Sequence, residues 1–503
     1  MKILFVHAEN ENLGVQYLSA VLKKAGHQVK LILDPCLFKD SFFSNSFLHR
    51  KFSYRRILLK QAKKYRPDII AFSVLSDRYA WASEMAGILK RNLHVPIIFG
   101  GLHPTLVPEV VISNKNVDMV CVGEGEEAMV ELTNSYSGGR FNMDIRNIWF
   151  KNNGQIIKNP IRPLIRELDN LPYPDRDLYD FEISPGRYLI MASRGCINHC
   201  SYCYNCYYKR LYGSKNYLRL RSVDSVIDEL ILAKRKYKPR YIIFHDDVFG
   251  FNLRWLKEFR LKYKKHVNLP FYCSLCPSYV TKEHLKILDD CKCILVNMGI
   301  QTTNEDYAKN MLNRINSNKK LIQVLNWFKD TNIWLMTDIL LGLPGQTRKD
   351  LIKEAKFFSK HHSDQIACYW LIYYPKLEIL RKAREKGFLN DADIDKITRN
   401  RKFTSYGLGG SFFKKNFTPE INLLTLAHIL PKNITKFLIK KNRYKILLDF
   451  NIPYVLNSTL YNISAFFKRR NRLNVIYGKG GYLRFYLHYI YRFFRYNLFG
   501  FDR

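Results

Sequence analysis

The chain has 503 residues, 47% of them hydrophobic and 25% charged, which excludes a disordered or fibrous polypeptide. At roughly 100–200 residues per domain it should hold two to four domains. Its 81 Lys and Arg against 44 Asp and Glu give a formal charge of +37, which favours anionic partners, either nucleic acid or an anionic membrane surface. No run of eighteen uninterrupted apolar residues is present, so no transmembrane span is expected.

The first apolar run, residues 2–8, is too short for the core of an export signal and is followed at once by Glu9-Asn10-Glu11. It reads as a β-strand, and the protein is expected to be cytoplasmic. Without a secretory signal, the eleven cysteines are expected as ligands or buried thiols rather than disulfides. An amphipathic helix over 14–25 closes at Gly26, and strands follow at 27–33, 68–75, 96–101 and 119–122, with helices at 54–65 and 78–92. Short apolar strands alternating with helices predict a doubly wound, Rossmann-like parallel sheet over residues 1–135. Its ligand site should lie on the loops at the carboxyl ends of the strands.

Residues 136–185, rich in Asn, Gly, Pro and Asp, read as a connector. A second βα series fills 186–395, with strands expected at 188–192, 241–244, 271–274, 294–299, 333–341 and 366–374. Six such units predict a partial (β/α)6 TIM barrel with its active site on the loops after the strands. Residues 396–503 read as a basic, aromatic-rich, mainly helical region. From 411 onward it holds 17 Lys or Arg and 3 acidic residues. Arg and Tyr interleaved with Phe and Leu over 482–495 resemble an interfacial helix on an anionic bilayer. An ordinary helical domain with a solvated basic face is the preferred reading, and a cap on the barrel that binds an anionic substrate or a stacking surface for nucleic acid are further ones. No RNA-binding signature is visible, so nucleic acid is the least favoured.

Cys196, Cys200 and Cys203 sit in a C-x3-C-x2-C loop directly after the first barrel strand. Three thiolates so spaced can bind three irons of a [4Fe–4S] cubane and leave the fourth open. Structural zinc usually takes four ligands in paired units and fits this loop less well. Cys206, Cys273, Cys276, Cys291 and Cys293 leave room for a second cluster, although their strand positions suit buried thiols, and Cys206 is expected nearest the active site.

The loop resembles that of the radical S-adenosylmethionine (radical SAM) superfamily. The resemblance implies that the open iron binds S-adenosylmethionine, whose one-electron cleavage gives a 5′-deoxyadenosyl radical, with an external electron donor such as flavodoxin or ferredoxin. It also implies that Tyr202 contacts adenine. Asp246 and Asp247, in His245-Asp246-Asp247-Val248-Phe249, resemble the segment that takes the amino group. Gly299 and Gln301 resemble the ribose segment, and Arg314 matches an arginine near the carboxylate. Gly342-Leu343-Pro344-Gly345-Gln346-Thr347 ends its strand in the family manner.

Residues 1–135 resemble the cobalamin-binding domain that precedes the barrel in a subset of this superfamily. Ser73, Gly100, Gly101 and Gly123 carry the likeness, since small residues at strand ends let a corrin's nucleotide tail approach the sheet. One departure is Glu11, in Glu9-Asn10-Glu11-Asn12-Leu13-Gly14, where methionine-synthase-type domains place a cobalt-ligating His. The implied reaction is cobalamin-dependent methylation of an unactivated carbon in a small-molecule or lipid-linked substrate. A radical cyclisation or oxidative rearrangement is the alternative enzyme. A corrinoid- or redox-sensing binding module is the non-catalytic one.

Overall fold

The computed structural model describes residues 1–9, 11–38, 45–179, 186–213, 215–315, 317–361, 363–399, 417–448 and 487–495. In the first sheet, β1 (Lys2–Ala8), β2 (Gln28–Asp34), β3 (Ile69–Ser73), β4 (Ile97–Gly100) and β5 (Met119–Cys121) are parallel, in the order β2-β1-β3-β4-β5. Because side chains alternate across a strand, each of these strands feeds two cores. Ile70, Phe72 and Phe99 pack on one face with Met85 and Leu89. Ile69, Ala71 and Ile98 pack on the other with Val15, Leu22 and Leu132. This strand order reverses direction between β1 and β3, which opens a crevice at their carboxyl ends.

The stretch expected as a connector contributes to this sheet. A hairpin of β6 (Ile148–Asn152) and β7 (Gln155–Lys158) adds antiparallel to β5. Asn153 and Gly154 both take positive φ at its two-residue turn, the geometry such hairpins need.

The second sheet is built from β8 (Arg187–Ile190), followed by a small ribbon of β9 (Ser193–Arg194) and β10 (Arg219–Leu220). Then come β11 (Tyr241–Phe244), β12 (Phe271–Leu275), β13 (Cys293–Gln301), β14 (Trp334–Leu341) and β15 (Gln365–Trp370). The six long strands pair in parallel in chain order, β8-β11-β12-β13-β14-β15, and β8 does not pair with β15. The result is the expected partial barrel, open along one side. Its outer residues, among them Phe244, Phe271, Val296 and Leu335, pack under the helices. Tyr272, Asn297 and Asp338 sit at the alternate, partly buried strand positions and form the inner, concave face.

The described part of 396–503 is helical. Thr418–Leu426 packs on Arg348–Phe358 and on the edge strand β15, burying Leu423 and Leu424. Of the aromatic segment 482–495, residues 482–486 lie outside the described residues. Residues 487–495 pack on the N-terminal domain. Tyr489 is buried there, Ile490 and Phe493 join the same core, and Phe493 meets Phe52 at 5.3 Å between ring centroids. The Tyr54 hydroxyl donates to the Tyr489 carbonyl. The apolar side of this helix is therefore used inside the protein. Among the described residues no helix is long and apolar enough to cross a membrane.

Glu354 anchors the loop that leaves β13. Its carboxyl accepts from the Thr302 hydroxyl at 2.7 Å and from the Thr303 N–H at 3.4 Å, and burial pushes it up to about 8. A folded pKa above the unfolded one means stability that is present at low pH and lost as pH rises through about 8. The melting temperature should therefore fall between about pH 5 and pH 9, and Glu354→Gln should flatten that fall. Equal slopes for both proteins would contradict the assignment.

Candidate active site at the junction of the two domains

The loop after β8 and β9 is held from both sides. Gly195 has φ of +95°, and a Cβ there would stand 2.7 Å from the Tyr217 carbonyl oxygen, so only glycine fits before Cys196. Asn198 donates its backbone N–H to Cys196 Sγ at 3.4 Å, and Asn205 Nδ2 lies 3.6 Å from Cys203 Sγ. Cys200 is buried and takes an N–H of Arg314 at 3.6 Å. Burial pushes the Cys196 thiol up to about 11 and Cys203 further, with Asp247 and Cys200 adding to Cys203. Such thiols ionise only when a metal supplies positive charge. Among the described residues no three His, Cys, Asp or Glu side chains converge on one ion-sized point. A cubane does not require that, because each thiolate takes a different iron. The three cysteines fit a [4Fe–4S] cluster.

Around this loop the structure gathers most of the expected S-adenosylmethionine residues. Arg314 donates to the Tyr202 hydroxyl at 3.1 Å and to the Gly299 carbonyl at 2.6 Å. Its buried Nε has no partner, which leaves a donor for an anionic group such as a carboxylate. Gln301, in left-handed backbone with φ of +73°, has an unpartnered buried Oε1. The two aspartates part ways. Asp246 turns back to β8 and β9, accepting from the Ala192 N–H at 3.1 Å and from the Ser193 hydroxyl, and burial pushes it up to about 7. Asp247 faces the cavity and accepts from the Tyr204 hydroxyl at 3.1 Å.

Residues beyond this expected set also belong here, and Asp338 among them was not singled out in the sequence. Asp338 is the sole charged side chain of β14, in which only Thr337 is otherwise polar, and that contrast was a usable signal. It sits beside Asn297, its Oδ1 has no partner, and burial pushes it up to about 7. Cys276 lies 3.4 Å from Arg314 Nη2, closer to the site than its strand position suggested. Cys206 is buried with its Sγ 3.7 Å from Glu378. Tyr204, Tyr208 and Tyr212, spaced by one helical turn on Tyr204–Tyr212, form a ladder of rings 5.9 and 6.1 Å apart.

That ladder reaches the N-terminal domain, where the Tyr212 hydroxyl accepts the Glu124 N–H at 3.0 Å. Ser73, Gly100, Gly101 and Gly123 line a cavity of about 360 Å³, a volume usual for small-molecule sites. A Cβ at Gly101 would come within 2.9 Å of the Val74 nitrogen, and φ there is +96°. The same cavity continues to Gly195, His245 and Asp247, so its floor belongs to one domain and its far wall to the other. The small-residue floor suits close approach of a corrinoid's tail. Glu11 takes no part in it, because its carboxylate pairs with Arg176 and accepts from Gln16 Nε2 at 2.7 Å. His7 and His103 are packed inside the domain, where burial lowers them to about 4 and about 3.

The two domains meet through buried charge. Arg194, two residues before Cys196, pairs with Glu126 at 2.6 Å and with Glu124 at 3.2 Å. Arg219 pairs with Glu124 at 2.8 Å. Burial pushes Glu124 up, yet Arg219 and Arg194 hold it below the usual range. Beside this network, Leu106 and Val107 pack with Met311, Leu312 and Leu343 of the barrel.

A flavodoxin-like sheet joined at its ligand crevice to a partial barrel with a three-cysteine loop defines a protein of the cobalamin-binding radical SAM kind. The comparisons agree: residues 4–133 match the B12 binding domain, and residues 190–358 match the radical SAM superfamily. The chain belongs to the radical SAM enzymes that carry a B12-binding domain. These domains imply a [4Fe–4S] cluster, S-adenosylmethionine and cobalamin. An uncharacterized methyltransferase of Pyrococcus horikoshii is 26% identical over 407 residues, covering 78% of this chain and 84% of its own. The anaerobic magnesium-protoporphyrin IX monomethyl ester cyclase of Rubrivivax gelatinosus is 22% identical, covering 75% and 68%. The radical S-adenosylmethionine methyltransferase TsrM of Kitasatospora setae shares the fold, with a TM-score of 0.59 at 16% identity over 76% of each chain.

Removing one partner from a buried charge network leaves the others uncompensated, at a cost of about 3 kcal/mol. Glu124→Gln should therefore lower the melting temperature clearly, while Glu127→Gln, exposed on the same turn, should not. Equal melting temperatures for the two variants would show that the network does not hold the junction.

Proposed function

We propose that this enzyme is a cobalamin-dependent radical SAM methyltransferase acting on an unactivated carbon. The observation that carries the reading is the single cavity bounded by the small-residue floor of one domain and the cluster loop of the other. When bound, the cluster supplies the electron that cleaves S-adenosylmethionine, and the corrinoid supplies a transferable methyl group.

The chain's own residues position these groups and keep water out. Arg314 would meet the S-adenosylmethionine carboxylate through its unpartnered Nε while its other nitrogens stay tied to Gly299 and Tyr202. Gln301 and Asp338 would accept hydrogen bonds from the ribose hydroxyls through their unpartnered oxygens. Asp246 would act one step removed, by holding the backbone that leads into the cysteine loop. Asp247 is then the acidic group left to face the ligand. Tyr204 and Tyr208 wall the cavity where water would otherwise enter. The methyltransferase of Pyrococcus horikoshii supports the methyl-transfer reading, since it is matched over most of both chains. The Rubrivivax gelatinosus cyclase supports a second reading, radical cyclisation or oxidative rearrangement, in which the product gains no methyl group. In either case the electron comes from a separate donor such as flavodoxin or ferredoxin, and the substrate is a small or lipid-linked molecule.

The test is anaerobic reconstitution with iron, sulfide and hydroxocobalamin, followed by product analysis with S-adenosylmethionine and a strong reductant. Formation of both 5′-deoxyadenosine and S-adenosylhomocysteine is expected, and Cys203→Ala should hold no cluster and yield no 5′-deoxyadenosine. Formation of 5′-deoxyadenosine without S-adenosylhomocysteine would turn the assignment to the cyclase-type reaction.

A further inference from the structure

Beyond Pro431 the chain forms two short helical segments, Lys432–Ile439, which packs on Arg348–Phe358, and Tyr444–Leu447, which packs on Thr418–Leu426. Thr435, Leu438 and Tyr444 turn inward and are buried. The other side carries Ile434, Phe437, Ile446 and Leu447, which are 45%, 52%, 86% and 54% exposed. Four large apolar side chains thus stand exposed within fourteen residues, and apolar groups gathered in this way mark interaction sites. The Arg443 guanidinium lies over the Phe437 ring at 4.1 Å and joins the two segments into one surface.

The charge around this patch has one sign. Lys432, Lys436, Lys440, Lys441, Arg443 and Lys445 fall between residues 432 and 448, and no Asp or Glu does. None of the six forms an ion pair among the described residues. A protein partner's binding face would be depleted in lysine at its centre. Single-stranded nucleic acid would be met by stacked aromatic rings, whereas three of the four apolar side chains here are aliphatic. Aliphatic and Phe side chains ringed by unpaired lysines match the interfacial layer of an anionic bilayer, which takes apolar groups at the acyl boundary and cations at the headgroups.

We propose that the surface formed by residues 432–447 docks on an anionic phospholipid bilayer, with Ile434, Phe437, Ile446 and Leu447 entering between the headgroups. The inference stands apart from the reaction assigned above. It also uses a different segment from 487–495, whose Tyr489, Ile490 and Phe493 pack on the N-terminal domain.

The test uses the full chain and co-sedimentation with vesicles of phosphatidylcholine alone or mixed with phosphatidylglycerol. Binding to the mixed vesicles is expected, with little to phosphatidylcholine alone and release at high salt. Phe437→Asp with Ile446→Asp, and separately Lys436→Glu with Lys440→Glu, should each lower the partition coefficient at least about tenfold. Both variants should keep the wild-type circular dichroism and melting temperature. Failure of the wild type to bind mixed vesicles would overturn the proposal, as would equal binding by either folded variant. So would self-association without lipid that the same substitutions abolish, since that would make a second copy of this chain the occupant.

Discussion

The junction of the two domains rests on four charged side chains that the fold takes largely out of water. Glu124 and Glu126 follow β5 of the first sheet, while Arg194 and Arg219 belong to the β9–β10 ribbon of the barrel. None of these could be buried alone at tolerable cost, so each domain supplies what the other needs. Arg194 is also fixed against the Tyr17 ring at 5.1 Å, and Arg219 donates to the Ile165 carbonyl at 2.6 Å. Because Arg194 lies just before Gly195 and Cys196, the contact that joins the domains also sets the start of the cysteine loop. The cavity between them follows from that arrangement.

Around the cysteine loop the chemistry is set by groups whose needs remain unmet. Cysteine thiols that burial holds protonated, an Arg314 nitrogen with no acceptor, and Gln301 and Asp338 oxygens with no donor converge on the carboxyl ends of the barrel strands. A folded chain normally leaves few buried polar atoms unpaired, and those that remain often mark where a ligand binds. Glu11 makes the opposite point. Its pairing with Arg176 and Gln16 satisfies it within the protein and removes it from the cavity.

Much of this was legible in the sequence, for physical reasons. Parallel strands buried on both faces read as short apolar runs, so β1, β3, β4 and the barrel strands up to β14 could be placed within a residue or two, while β15 ends at Trp370, four residues before the expected 374. The cysteine loop was legible because metal ligation constrains local spacing. What escaped was either short or distant in sequence. The β6–β7 hairpin lies in a stretch whose Asn, Gly and Pro content resembles a linker. Glu124 and Arg194 are 70 residues apart, and no local pattern announces their pairing. Asp246 and Asp247 look alike in sequence, and only the fold shows that one faces the backbone and the other the cavity. The helical residues 487–495 left readings open because an amphipathic aromatic face looks the same whether it meets lipid or another domain.

The central claim is that one cavity joins the two cofactor sites, and spin–spin interaction tests it most directly. Protein loaded with both groups and reduced to paramagnetic [4Fe–4S]+ and cob(II)alamin should show mutual broadening or splitting of the two electron paramagnetic resonance signals. Two independent signals, each identical to that of protein loaded with one group alone, would contradict the account.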